Sequence, residues 1–162
     1  MAELQKITPF LWFDTQADEA MQYYCSVFPD SRVIDIQRYP DESLSEHFTG
    51  MSGKVITGVF ELNGQRFMCL DGGPEFRFTE AISLHVSCKD QAEVDYYWAK
   101  LSHVPEAEQC GWCKDRFGLS WQVVPENMDA LMTKPDGTYN QEAWQHMMQM
   151  KKIVVADLGA AN

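Results

Sequence analysis

Short apolar runs alternate with amphipathic segments along the chain, and the first pair predicts a strand followed by a helix. Residues 10–13 are all apolar. Residues 17–28 carry apolar side chains at helical spacing, namely Ala20, Tyr24, Val27 and Phe28. Residues 32–39 have the β-branched apolar character of a second strand and lie between two prolines.

Two further apolar segments flank an Asn-Gly pair and predict a hairpin. Residues 54–61 precede Asn63-Gly64, and residues 65–70 follow it. Asn-Gly is a strong short-range hairpin signal because both residues tolerate a positive φ. The first part of the chain is therefore predicted to be a strand, a helix and three strands.

The same order of elements recurs later in the chain. A shift of 73 positions superimposes Leu11 on Leu84 and the first strand and helix on a second pair. A shift of 54 positions then superimposes Gly64 on Gly118, so the hairpin recurs too. The change of shift means that the second unit has lost about nineteen residues. Its second strand, near residues 106–109, is expected to be very short.

The two hairpins begin with acidic residues at matching positions. Glu61 superimposes on Asp115 in the repeat. Short acidic side chains commonly accept hydrogen bonds from turn amides, and we expect this structural role for both residues.

Beyond Pro125 the pattern changes to helix. We therefore predict one domain over residues 1–162, with repeated units at about 7–71 and 81–125 and a helical tail at 126–162. Several apolar tail residues share one helical face, which is typical of a core or dimer contact: Ala143, Trp144, Met147 and Met148.

Charge and targeting signals narrow the possible partners. The 162 residues include 24 Asp and Glu against 13 Lys and Arg, which gives a formal charge of -11. This charge repels phosphate backbones, so nucleic acid and anionic membranes are excluded as partners. The N-terminus lacks the pattern of a secretory signal, and no apolar run could span a membrane. The five cysteines form an odd set without disulfide-framework spacing, so we expect a cytoplasmic protein.

Four segments carry a resemblance to a known family: FDTQADEAMQYYCSVFPDS, GVFELNGQRFMCLDGGPEF, ISLHVSCKDQAEVDYYWAKL and CGWCKDRFGLSWQVVP. They resemble the PhnB-like branch of the glyoxalase, bleomycin-resistance and dioxygenase superfamily, also called the vicinal oxygen chelate superfamily. The resemblance runs from about Ile7 to Lys152. It implies an α+β fold in which two strand-helix-three-strand units form an eight-stranded mixed sheet curled around a cavity, and it implies a homodimer.

Members of this branch often carry the label 3-demethylubiquinone-9 3-methyltransferase. This chain has no Gly-rich loop after its first strand, of the kind that a nucleotide-like methyl donor would use. We therefore do not predict a methyltransferase activity.

The resemblance also implies where a metal would bind, because superfamily enzymes place His, Glu or Gln on four strands. The repeat locates these positions at Phe10 and Ser83 on the first strands and at Met68 and Gln122 on the last strands. Only Gln122 resembles a customary ligand. Two apolar side chains and a hydroxyl cannot hold a divalent ion in competition with water. We therefore predict neither a metal nor another cofactor.

Other candidate site residues share strand faces with these positions. His85 lies two residues beyond Ser83 and hence on the same face. It could be a displaced ligand, a general base, a substrate hydrogen-bond partner or an ordinary cavity-lining histidine. Trp12 shares the face of Phe10, and Arg66 shares the face of Met68, where its charge could bind an anionic group.

Cys110-Gly111-Trp112-Cys113 contains the spacing of a redox or zinc motif. On a strand, residues three apart point to opposite faces, so the pair cannot close on one metal. Cys110 or Cys113 could still act as a single reactive thiol activated by His85.

Three functions remain open at this point. The first is a metal-independent small-molecule binder, with a pocket lined by Phe10, Trp12, Met68, Ser83, His85 and Gln122. The second is an isomerase, lyase or dioxygenase in which His85 is a base or metal ligand and Gln122 polarises a substrate oxygen. The third is a dimeric interaction platform without a ligand.

Overall fold

The computed structural model describes residues 5–159, and the chain forms two compact units that divide after Arg77. Each unit combines a β-sheet with an amphipathic helix, so the predicted α+β class is confirmed. No helix in the described range has the length and apolar character needed to cross a membrane.

The first unit contains the predicted strand, helix and three strands, at β1 (Phe10–Phe13), α1 (Ala17–Val27), β2 (Arg32–Arg38), β3 (Val55–Leu62) and β4 (Gln65–Asp71). The strands are ordered β1-β4-β3-β2 in one sheet. Strand β1 runs parallel to β4, and the other neighbours are antiparallel. The loop between β2 and β3 contains two short 3-10 turns, Glu42–Leu44 and Glu46–Phe48.

The predicted hairpin between β3 and β4 is confirmed. Asn63 and Gly64 have φ angles of 48° and 81°. A two-residue turn of this kind needs a positive φ at both positions, and Asn and Gly adopt it at the least cost.

Helix α1 covers one face of this sheet. Because strand side chains alternate between the two faces, alternate strand residues pack under the helix. Its buried residues are Ala17, Ala20, Met21, Tyr24 and Val27. On β4 the buried positions are Phe67, Cys69 and Asp71, and they alternate with half-buried Met68 and Leu70. The alternation places Met68 and Leu70 on the face opposite α1.

The second unit begins with the same strand and helix, at β5 (Ser83–Cys88) and α2 (Gln91–Leu101), and continues with β6 (Trp112–Lys114) and β7 (Ser120–Pro125). The strand order is β5-β7-β6, with β5 parallel to β7 and β6 antiparallel to it. The buried residues of α2 are Val94, Tyr97 and Leu101, and they pack with the alternate, buried residues of the strands.

The second unit differs from the expected repeat in one strand. At the predicted short strand it has a 3-10 turn, Pro105–Ala107, and an isolated bridge between Gln109 and Trp112. Pro105 has no N–H to donate to a ladder, and the deletion leaves few residues with which to build one. The described strands therefore form two sheets of four and three strands, where the resemblance implied eight strands in one sheet.

The tail forms α3 (Met128–Leu131), α4 (Gln141–Gln149) and α5 (Val155–Gly159) around a small core of Met132, Ala143, Ile153 and Leu158. Residues 160–162 of the predicted tail lie outside the described residues. Of the predicted apolar stripe, Ala143 is buried and Met147 packs against the core, whereas Trp144 and Met148 remain exposed.

Several hydrogen bonds connect the tail to the rest of the second unit. The Gln91 side chain bonds both the Ile153 carbonyl and the Val155 amide, at 3.0 and 2.8 Å. The amides of Cys110 and Gly111 donate to carbonyl oxygens of the tail at 2.9 and 2.8 Å. These last bonds satisfy backbone groups just before the edge strand β6, so the tail protects part of the sheet edge.

Candidate functional site

The face of the second sheet opposite α2 is polar. Alternate residues of the three strands are buried in the core, among them Val86, Cys113 and Trp121. Six of the intervening residues form a face that we call the polar face: Ser83, His85, Trp112, Lys114, Ser120 and Gln122.

The strand register arranges these six side chains in two rows. Residues directly opposite each other on paired strands present their side chains on the same face. The first row runs from Ser83 through Ser120 to Lys114. The second row contains the remaining three residues in the order His85, Gln122, Trp112.

A hydrogen bond joins the two rows. The Gln122 Nε2 donates to the Ser83 Oγ at 2.9 Å. These are the two positions that the repeat identified in this unit, and the structure brings them together. Because the Ser83 oxygen accepts this bond, its own proton is available to donate to another group.

Ser120 is the least satisfied group of the polar face. Its side chain is 1% exposed, and its hydroxyl has no hydrogen-bond partner within the described part of the chain. An unpartnered buried polar group costs about 1–3 kcal/mol. Ser120 was not among the predicted site residues, although its position two residues before Gln122 places it on the same strand face.

Lys114, which lies opposite Ser120 in the strand register, forms an ion pair with Glu80. The Lys114 side chain is 24% exposed and that of Glu80 is 61% exposed. The hydrogen bond from Lys114 lowers the pKa of the Glu80 carboxyl. Lys114 was not among the predicted site residues either, because only the strand register reveals that it lies opposite Ser120.

His85 lies at the exposed end of the second row, next to Gln122. No residue in the described range hydrogen-bonds its imidazole. The ring is therefore accessible to a ligand, but it lacks the orienting partner that an efficient general base has.

On the corresponding face of the first unit, β1 and the end of β4 carry apolar side chains. Phe10 lies opposite Met68, and Trp12 lies opposite Leu70. We call the surface formed by these four residues and Phe76 the aromatic face. Phe10 and Phe76 are 49% and 59% exposed.

Trp12 is held in one orientation on this face. Its Nε1 donates to the Gly73 carbonyl oxygen at 3.0 Å, and its ring meets Phe76 edge-on at a centroid distance of 4.8 Å. A Cβ at Gly72 would lie 2.1 Å from Trp12 Cζ2, so only glycine allows the indole to pack here. Trp12 therefore provides a fixed aromatic surface.

Arg66 lies one position along the same strand face from Met68, as predicted, and it is half-buried. Its cross-strand neighbour Glu61 pairs with Arg32 instead, at 3.3 Å. No described residue bonds the Arg66 guanidinium, which leaves it able to bind an anionic group.

The predicted role of the hairpin acids is confirmed for Asp115 and wrong for Glu61. The Asp115 Oδ1 accepts from the turn amides of Phe117 and Leu119 at 2.8 and 3.0 Å. Glu61 pairs with Arg32 because its side chain points across the sheet surface, and the turn amide of Asn63 donates to Ser31.

The two cysteines of the CxxC motif have different environments. Cys110 lies in a turn with φ 50°, and its thiol donates to the Met147 carbonyl oxygen at 3.3 Å. The described contacts of Cys110 include none with His85, so the structure does not bring this thiol to the predicted base. Cys113 is 1% exposed, and burial raises the pKa of its thiol to about 12. Cys113 is therefore not a reactive thiol at neutral pH.

Alkylation by iodoacetamide at pH 7.5 is expected to label Cys110 at least about tenfold faster than Cys113 in the folded protein, because the thiolate is the reacting species. Burial also raises the pKa of Cys69 to about 12, so this thiol serves as an internal reference for a protected group. Peptide mass spectrometry over time would measure the rates, and Cys110→Ser should remove the fast site. Equal rates for Cys110 and Cys113 would contradict the described burial.

The four positions at which the superfamily places metal ligands do not offer a suitable donor set. Phe10 and Met68 lie opposite each other in the first unit and carry no hard donor atom. In the second unit the Ser83 and Gln122 side chains are bonded to each other. Within residues 5–159, no group of three or more His, Cys, Asp or Glu side chains could hold a metal ion. The residues present therefore do not fit the superfamily metal.

Comparisons with known proteins define the class. The family model of 3-demethylubiquinone-9 3-methyltransferase matches residues 5–124. The solved structure of the PhnB protein from Bacillus cereus is 38% identical, with 75% of this chain and 99% of that chain covered and a TM-score of 0.63. Protein PA1353 from Pseudomonas aeruginosa is 18% identical, with coverage of 76% and 98% and a TM-score of 0.58, and this likeness concerns the fold alone. No curated protein matches the chain.

The architecture is thus that of the PhnB and glyoxalase-like fold. The chain belongs to the 3-demethylubiquinone-9 3-methyltransferase family, in its PhnB-like branch. This confirms the resemblance on which the sequence analysis relied. The matched region ends before α3, so the tail lies outside it.

Proposed function

We propose that this protein binds a small molecule on the polar face of its second unit, and that it does so without a resident metal ion. The observation that carries the proposal is the buried Ser120 hydroxyl, which has no partner among the described residues. The large majority of buried side-chain polar atoms in folded proteins are hydrogen-bonded. A ligand oxygen or nitrogen that bonds Ser120 would offset the cost of burying it.

The other residues of the polar face support the same function. Small-molecule sites combine a few polar groups that fix orientation with aromatic or apolar surface. Ser83 and Gln122 supply the polar groups, and half-buried Trp112 supplies aromatic surface at the end of the second row. His85 is exposed at the other end, where it can reach a bound ligand.

The donor chemistry supports metal independence. A hydroxyl and an amide that already bond each other are poor ligands for a divalent ion. This chemistry disfavours the alternative of a metal-dependent isomerase, lyase or dioxygenase. The accessible His85 imidazole supports a second candidate function, an enzyme that transfers a proton without a metal. For such an enzyme, His85→Ala should abolish turnover while leaving the ligand affinity nearly unchanged.

Small-molecule binding can be tested with a fragment library screened by ligand-observed NMR on untagged protein. For fragments that contact the polar face, Ser120→Ala should weaken binding about tenfold, because a hydrogen bond to a desolvated group is lost. Ser52→Ala is the matched control, since Ser52 is an exposed serine in the loop between β2 and β3 of the first unit. A chelator should leave the affinity unchanged. Equal affinities for Ser120→Ala and the parent, or binding that requires an added divalent metal, would refute the proposal.

A further inference from the structure

We propose that the group recognised at the polar face is a carboxylate, which replaces Glu80 as the partner of Lys114 and bonds the Ser120 hydroxyl. This inference rests on the proposed function and adds the chemical class of the ligand. It follows from the position of the Lys114–Glu80 ion pair relative to Ser120.

The Lys114–Glu80 ion pair connects residues that lie on the two sides of Ser120. Lys114 ends the edge strand β6, and Glu80 precedes the opposite edge strand β5 by three residues. Strand β7 lies between them and begins at Ser120. A Lys114 side chain that reaches Glu80 therefore crosses the end of β7, where Ser120 lies opposite both Ser83 and Lys114.

The first row of the polar face offers three donors that fit one carboxylate. Ser83 retains its own proton, because its oxygen accepts from Gln122. Ser120 has an unused hydroxyl, and a lysine ammonium has three N–H donors of which Glu80 takes one. A carboxylate has two oxygens with about four acceptor positions, so it can satisfy all three residues of the row.

Glu80 is a weak competitor for Lys114. Its side chain is 61% exposed, and an ion pair with so exposed a carboxylate is screened by water. Glu80 has no hydrogen bond to Ser120, whereas a ligand carboxylate bonds both Lys114 and the hydroxyl. The exchange keeps one ion pair and adds at least one hydrogen bond to a group that lacks it.

The charge of the surroundings favours a ligand group with a single negative charge. Lys114 is the only cation of the six residues that form the polar face, and the whole chain carries a formal charge of -11. A phosphate dianion would leave one charge without a partner in this negative field. A monocarboxylate is therefore the expected ligand group.

Benzoate provides the test, with benzamide as an uncharged isostere and inorganic phosphate as the dianion. Titrations are followed by the backbone amide shifts of Ser83, Lys114, Ser120 and Gln122 in the labelled full chain. We expect saturable shifts with benzoate, affinity at least about tenfold weaker with benzamide, and no saturation with phosphate. Glu80→Gln should strengthen benzoate binding about fivefold, because the internal competitor loses its charge. Glu106→Gln removes one exposed charge elsewhere in the same unit and should leave the affinity unchanged.

Each other result overturns the inference. Equal benzoate affinities for Glu80→Gln and Glu106→Gln would show that Glu80 is not displaced. Benzamide binding as well as benzoate, with loss in Ser120→Ala, would refute the carboxylate while leaving the proposed function intact. The absence of any benzoate or benzamide shift at the four amides, together with fragment binding that is insensitive to Ser120→Ala, would refute both. Unchanged melting temperatures of the Glu80 and Glu106 variants verify that they remain folded.

Discussion

Replacement of Asp115 by Asn is expected to lower the free energy of unfolding by about 3 kcal/mol. Asp115 is 1% exposed, and its carboxylate accepts hydrogen bonds from two turn amides and, at 2.8 Å, from the Trp121 indole. Asparagine has one acceptor oxygen in place of the two carboxylate oxygens, so its side-chain NH2 group must face at least one of the N–H donors. The substitution therefore leaves buried donors unsatisfied at the hairpin that joins β6 to β7.

Urea unfolding followed by tryptophan fluorescence would measure the effect, because the Trp121 indole is one of the affected donors. Asp129→Asn is the matched control, since Asp129 is exposed at the start of α3, and its effect should stay below about 0.5 kcal/mol. If Asp115→Asn is no more destabilising than this control, the three hydrogen bonds do not stabilise the hairpin as described.

Replacement of Ile153 by Ala is expected to destabilise the second unit by about 3 kcal/mol, within the range for removing a fully buried branched side chain. Ile153 is 0% exposed in the tail core. It also lies directly over Gly111, where an added Cβ would come within 3.1 Å of Ile153 Cγ1. The smaller side chain leaves a cavity between the tail and the segment that precedes β6.

Hydrogen exchange would localise this effect. The amides of Cys110 and Gly111 donate to the tail, so their exchange should accelerate in Ile153→Ala. Ile82→Ala provides the control, because Ile82 is 73% exposed in the same unit and should change neither stability nor exchange. Unaltered protection of Cys110 and Gly111 would mean that Ile153 does not hold the tail on the sheet edge.

Much of the fold could be predicted from local patterns. The Asn63-Gly64 turn follows from the backbone freedom of two residues, and helix α1 follows from the spacing of its apolar side chains. The internal repeat extended both predictions to the second unit. The second unit departs from the repeat near Pro105, where a deletion and a proline left a 3-10 turn and a single bridge in place of a strand.

The candidate site could be predicted only in part. Parity along a strand placed His85 on the face of Ser83, and the internal repeat located Gln122. The three residues do lie together on the polar face. Parity could not identify Lys114, because its position opposite Ser120 depends on the register of β6 against β7. It also could not separate Cys110 from His85, since Cys110 is turned toward the tail by hydrogen bonds to residues far away in sequence.

The sequence by itself determined the type and order of the main helices and strands, the family and the residue types at the four superfamily metal positions, because these depend on short-range spacing and on side-chain chemistry. The tertiary structure decided which of those residues meet, that Glu61 pairs with Arg32, and that the Ser120 hydroxyl is buried without a partner in the described chain. Burial and hydrogen bonding are set by strands and loops that are distant along the chain, and a linear pattern carries no information about whether a given hydroxyl finds a partner.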